Sequence, residues 1–289
     1  MKKGFIKIGK AFALLFVSAF IAGITSCDYM GDSSFEDSLS ASPASSSGSA
    51  SGGSSSSSSS SGSLTDGALT TSRKSVTAPS SAGTITLYIN DSQSSTYSDL
   101  ATAFEAIPAS GSDTYKITLT SGTYNVTGLT YKGSNTVKVV GLGSADYGLD
   151  VVIYGQGSDM SAESTRSTLS FQGSCNVVLQ NLTVKNSYGT TSGTAQAEAL
   201  GVGPTAFSGM LAAYNCSFLS GQDTICTYSK AWFYKCYVEG DVDFLWMETA
   251  TGKVALYENC VLRAIGSRTT KAYFTAPRLA VSSKVWKGL

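Results

Sequence analysis

Apolar side chains in this chain recur in short runs that alternate with polar ones at a period of two, bounded by Gly, Ser, Asn and Asp. That pattern predicts β-strands separated by tight turns. The first run is Thr84-Ile85-Thr86-Leu87-Tyr88-Ile89. Others follow at 116–119, 136–140, 151–154, 168–171, 177–184, 210–218, 232–238 and 254–262. The period changes once. Leu100, Ala103, Phe104 and Ile107 fall at helical spacing and predict a short helix over 97–107.

The later runs repeat one another. Ala213-Tyr214-Asn215-Cys216-Ser217-Phe218 matches Phe233-Tyr234-Lys235-Cys236-Tyr237-Val238 and Tyr257-Glu258-Asn259-Cys260-Val261-Leu262, and Leu179-Gln180-Asn181-Leu182-Thr183-Val184 fits the same frame. The cysteines are 20 and then 24 residues apart. A unit of that length, repeated, is the mark of a solenoid. The expected fold is all-β, a parallel β-helix with a short N-terminal helix. In it Leu182, Cys216, Cys236 and Cys260 form an interior ladder, and Asn181, Asn215 and Asn259 stack at the adjoining turn. A β-sandwich with chance similarity is the alternative.

The N-terminal third is different in character. Lys2, Lys3, Lys7 and Lys10 precede an apolar stretch over 11–24, too short to span a bilayer comfortably and of the form of a secretory leader. Gly23-Ile24-Thr25-Ser26-Cys27 resembles a bacterial lipobox, in which Cys27 becomes the lipidated first residue. Residues 1–26 are thus read as a lipoprotein signal peptide. Residues 27–82, rich in Ser and Gly with an unbroken Ser run over 54–61, are read as a disordered tether. About 50 such residues have a root-mean-square span of about 40 Å. The folded domain is then 83–289, outside the cytoplasm and anchored by lipid to a bacterial membrane, with the outer membrane or cell surface expected.

Charge narrows the partners. Twenty basic and twenty acidic residues balance overall, but the leader's four lysines leave sixteen against twenty, a net of about −4. No basic tract marks a nucleic-acid partner. An acidic polymer would have to be gripped locally. The five cysteines beyond Cys27 lack any C-x-x-C spacing, so neither a disulfide framework nor a zinc site is expected.

The chain has no histidine, which excludes imidazole bases and His-bound metals and leaves carboxylate chemistry. Asp223, in Gly221-Gln222-Asp223-Thr224, and Asp243, in Gly240-Asp241-Val242-Asp243-Phe244, are twenty residues apart. That is one coil, so the two carboxylates would lie one above the other, as an acid and a nucleophile in unlike environments.

These motifs carry a resemblance. From about Thr84 onward the chain resembles the pectin methylesterases of the right-handed β-helix class, on four motifs in order. They are Ser121-Gly122-Thr123-Tyr124, Gln196-Ala197-Glu198-Ala199-Leu200, Gly221-Gln222-Asp223-Thr224 and Gly240-Asp241-Val242-Asp243-Phe244-Leu245, with Thr275-Ala276-Pro277-Arg278 of similar look. The resemblance implies hydrolysis of galacturonate methyl esters in methyl-esterified homogalacturonan (pectin), with no metal and no organic cofactor. It implies Asp243 as nucleophile, Asp223 as proton donor and then base, and Gln196 and Gln222 as oxyanion stabilisers. Phe244 and Trp246 are expected to contact the sugar.

Departures are equally plain. The family's Leu-Gly-Arg-Pro-Trp motif, whose Arg pairs with the nucleophile, has no match here; Arg263, Arg268 and Arg278 lie outside it. Ile225-Cys226 and Trp246-Met247 stand where the family usually has other residues. The expectation is a chain incomplete at its C-terminus: a fragment, a frameshifted reading or a decayed gene product. Two further readings are a β-solenoid that binds acidic polysaccharide without turnover and, less well supported, a β-helix polysaccharide lyase.

Overall fold

The computed structural model describes residues 72–158, 166–188, 196–203, 207–249, 253–265 and 272–279, all within one unit, Asp66–Leu289. The chain enters as a hairpin, β1 (Ile85–Ile89) antiparallel to β2 (Ser92–Tyr97). Asn90 and Asp91 both take positive φ at its tip, the conformation of the tight hairpin turns that match strand twist. The helix α1 (Leu100–Glu105) follows. Asp99 caps it by accepting from the Thr102 amide at 2.8 Å, and it buries Leu100, Ala103 and Phe104. It is shorter than the apolar spacing predicts because residues 97–99 complete the hairpin and supply the cap.

Six coils of three strands follow: β3 (Thr114–Leu119), β4 (Gly122–Asn125) and β5 (Leu129–Gly133), then β6 (Thr136–Gly141), β7 (Val151–Gly155) and β8 (Leu169–Gly173). The third coil is β9 (Val177–Gln180), β10 (Thr183–Asn186) and β11 (Leu200–Val202); the fourth is β12 (Met210–Tyr214), β13 (Ser217–Leu219) and β14 (Ile225–Thr227). The last two are β15 (Lys230–Tyr234), β16 (Tyr237–Gly240) and β17 (Leu245–Thr249), then β18 (Ala255–Glu258), β19 (Val261–Ala264) and β20 (Thr275–Leu279). Each strand pairs in parallel with its counterpart one coil away, giving three sheets. The protein is a right-handed parallel β-helix, as the repeats and the resemblance predict.

Parallel register turns sequence periodicity into vertical columns. Ile117, Val139, Leu179, Ala213, Phe233 and Tyr257 form one interior column of the first sheet. Tyr124, Ile153, Val184, Phe218, Val238 and Leu262 form one in the second, and Leu129, Leu169, Leu200, Ile225 and Leu245 one in the third. Phe233 packs edge-on against Phe218 at 5.6 Å and flat on Tyr257 at 4.7 Å. Burying one such aromatic contributes about 1.5–3 kcal/mol, so the columns supply most of the driving force.

Runs that read as single strands are each broken in two. Asn181, Asn215, Lys235 and Asn259 all adopt φ near +50°, bending the chain from the first sheet to the second. Asn tolerates this left-handed conformation better than most residues. Asn215 donates to Asn181 Oδ1 at 3.0 Å, so the expected stack forms there, but Lys235 interrupts it before Asn259. Leu182, Cys216, Cys236 and Cys260 follow these corners; the first three have no exposed surface and Cys260 is partly covered.

Part of the expected tether is also docked. Thr77 donates to the Leu149 carbonyl, Thr123 donates its amide to Ser81 and its hydroxyl to Pro79, and Arg73 forks onto Glu239. These bonds satisfy backbone groups along β4 and neutralise a buried carboxylate, so residues 72–82 run as a strap along the second sheet. The rest of the leader and tether, including Cys27, lies outside the described residues.

Candidate active site

The second corner of the fourth and fifth coils carries the candidate chemistry. Gln222 and Val242 form an isolated parallel bridge, and Ile225 pairs with Leu245. Asp223 between them donates its amide to the Val242 carbonyl at 3.0 Å, so Asp223 and Asp243 occupy the same position on successive coils. Adjacent strands lie about 4.8 Å apart, which sets the rise between the two residues. Both take φ near +50°, 56° at Asp223 and 50° at Asp243. Asp223 is buried and Asp243 partly exposed, so the two carboxylates do occupy unlike environments.

The corner is held from below. Thr224, with no exposed surface, donates its hydroxyl to the Glu239 carbonyl at 2.9 Å, which joins the two turns. Gly240 is required there: a Cβ would strike the Cβ of Phe244 and come within 2.7 Å of the Thr224 hydroxyl.

Backbone bonds extend the site over two earlier coils. Ala197 donates to the Gln222 carbonyl at 3.3 Å, which brings Gln196 onto the coil beside Gln222, and Thr168 donates to the Glu198 carbonyl at 3.0 Å. Arg166 therefore stands next to Glu198. Its Nε donates to Glu198 Oε2 at 2.9 Å, its Nη2 also pairs with Glu198 Oε1, and Nη2 donates to Gln196 Oε1 at 2.8 Å. The same Nη2 lies 3.8 Å from Asp223 Oδ2. Burial opposes the Arg166 charge, but the bond and charge of Glu198 outweigh it and hold the guanidinium above its ordinary pKa. Burial, reinforced by Glu198 and Asp223, pushes the neighbouring Cys226 thiol well up, so it is a poor nucleophile.

Neither Arg166 nor the role of Glu198 follows from the sequence. Glu198 stands between Ala197 and Ala199, and an acid in so apolar a stretch needs a partner when buried. That partner is thirty-two residues away, and only the coil register connects them.

Two expected sugar contacts separate. Phe244 has no exposed surface and packs in the interior 4.8 Å from Phe274, because the left-handed turn at Asp243 sends the next side chain inward. It is a core residue, which corrects the expectation of a substrate contact. Trp246 lies partly exposed on the third sheet, edge-on to Tyr228 at 5.0 Å. Arg263 pairs in register with Glu239 on the second sheet; Arg268 and the Arg278 side chain lie outside the described residues. Among the described residues no group of three or more Cys, Asp and Glu is arranged to hold a metal ion.

Fold and site together define a parallel β-helix protein with two aspartates in register on successive coils and two glutamines at one corner. The chain belongs to the pectinesterase family, whose sequence pattern matches residues 86–278. A pectin methylesterase from Erwinia chrysanthemi is similar in structure, with a TM-score of 0.52 and 23% identity over 65% of this chain and 58% of that one. One from Yersinia enterocolitica gives 0.51 and 21% over 63% and 60%. A pectin methylesterase solved in complex with a hexasaccharide gives 0.52 and 23% over 65% and 58%. The chain spans from about half to about seven-tenths of the length of the solved structures it matches, 49% to 69%. A search of curated protein sequences found no match.

Proposed function

We propose that this protein hydrolyses methyl esters of galacturonate units in pectin, releasing methanol and leaving free carboxylates. The observation that carries the reading is the Asp223–Asp243 column beside Gln196 and Gln222 in a member of the pectinesterase family. That a related pectin methylesterase was solved with a hexasaccharide supports an oligosaccharide substrate.

The chemistry follows from the side chains. Two carboxylates a coil apart repel when both are ionised, which favours one proton on the pair. Asp243, the more exposed, attacks the ester carbonyl and forms a covalent acyl-enzyme. Asp223 gives its proton to the departing methoxide, then takes one from the water that cleaves the acyl-enzyme and restores both groups. The amide N–H groups of Gln196 and Gln222 stabilise the oxyanion without the charge that would hold the acidic product. Trp246 and Tyr228 give the sugar an aromatic wall. The enzyme works outside the cytoplasm, tethered by lipid on Cys27 to a bacterial membrane; the lipobox and Ser-rich tether support this.

Methanol release from methylated pectin by wild type and Asp243→Asn tests the reading. Asn tolerates positive φ about as well as Asp, so the variant should fold. Release should fall at least about 10³-fold, in keeping with loss of a nucleophile. Equal activity in the variant would sink the proposal.

A further inference from the structure

We infer that Arg166 is a positioning residue that fixes which end of the Gln196 amide faces the reaction, with Glu198 as its anchor. The inference rests on the esterase reading above. A Gln side chain ends in a carbonyl that accepts and an NH2 that donates, and its rotation decides which is presented. Oxyanion stabilisation needs the NH2. Arginine has only donors, so Nη2 at 2.8 Å from Gln196 Oε1 selects the carbonyl end and leaves the NH2 on the opposite prong. A rotated amide would set NH2 against guanidinium, donor against donor.

The anchor makes this selection rigid. Glu198, with 3% of its side chain exposed, receives both Nε and Nη2 of Arg166, a two-point fork that fixes the guanidinium plane. Glu198 and Gln196 are two residues apart on one short stretch, so a single arginine from the preceding coil ties both. Glu198 also balances the arginine's charge, which otherwise would act on Asp223 Oδ2 3.8 Å away in full. The cation thus shapes the site without becoming a strong trap for the carboxylate product.

The test is a cycle in the full-length protein. Arg166→Met alone strands a buried carboxylate, so the informative variant is Arg166→Met with Glu198→Gln, checked for folding by circular dichroism and thermal melting. It should lower kcat about 10–100-fold with KM within about twofold. That loss of kcat is less than the roughly 10²–10³-fold cost of removing an oxyanion donor outright, because the amide is misplaced and not lost. In a Gln196→Ala background the same pair of changes should cost less than about twofold more, because the arginine acts through the glutamine. Full additivity, or an unchanged kcat, overturns the inference. A second readout is independent of turnover: the Gln196 side-chain amide resonance, assigned by its loss in Gln196→Ala, should shift in the Arg166→Met/Glu198→Gln protein. An unmoved resonance also overturns it. Absence of methanol release by the unaltered protein refutes the esterase reading instead, and the resonance then decides the positioning claim by itself.

Discussion

Replacing Arg73 by Ala removes the clamp between the N-terminal strap and the strand that leads to Asp243. Arg73 Nη2 lies 2.8 Å from Glu239 Oε1, and Nε lies 3.3 and 3.2 Å from the two carboxylate oxygens. Glu239 also accepts from the Tyr237 hydroxyl at 2.9 Å, and only 3% of its side chain is exposed. Breaking a fully buried pair costs about 3–5 kcal/mol. Arg73 is half in solvent, 52% exposed, so screening and water entering the vacated place cut this to about 2 kcal/mol. For a domain of about 200 residues that lowers Tm by about 4–8 °C. Urea melts of wild type, Arg73→Ala, Glu239→Gln and the double variant give the coupling directly, expected near 1–2 kcal/mol. A loss under about 0.5 kcal/mol with no coupling would refute the clamp and return 72–82 to the tether.

Phe244→Ala should cost about 3–5 kcal/mol of stability as a core deletion, whereas Trp246→Ala should leave Tm nearly unchanged and raise KM for pectin; melting and kinetics on both separate core from cleft. Lys235→Asn should stabilise by about 0.5–1 kcal/mol by putting an αL-tolerant residue between Asn215 and Asn259, read as a higher urea midpoint at constant slope. Burial, the main cause at both groups, raises the Cys175 thiol to about 11 and the Tyr237 phenol to about 12, above their ordinary 9 and 10. Raised values favour the protonated folded state, so this stability is complete below pH 9 and is lost as pH rises through 11 and 12. Urea midpoints should fall over that range, and Cys175→Ala should flatten the portion between pH 9 and 11.

The fold was legible because register converts spacing into position. A 20-residue step between Cys216 and Cys236 is the same step as between Asp223 and Asp243, so one repeat announces both the interior ladder and the carboxylate column. What escaped was whatever lacks periodic composition. The strand Ser92–Tyr97 is almost wholly polar and is fixed by its turn and its neighbour, not by an apolar face. The inward direction of Phe244 depends on the backbone angle at Asp243, which a string of residues does not display. Arg166 and Glu198 sit on different coils, thirty-two residues apart, a step that the 20-residue repeat does not set. The docked strap was hidden by its composition, since residues 72–82 continue the small and polar character of the tether before them.

The left-handed corners have a consequence for how chemistry arises in such a fold. A corner at φ near +50° admits few residue types without strain, chiefly Gly, Asn and Asp. Random substitution followed by selection for folding alone would therefore enrich these positions in short carboxylates and carboxamides, already aligned along the solenoid axis. Asp223 and Asp243 stand at two such corners. The steric filter of the backbone supplies reactive groups in register before any substrate is present, and catalysis needs only neighbours that tell the two apart.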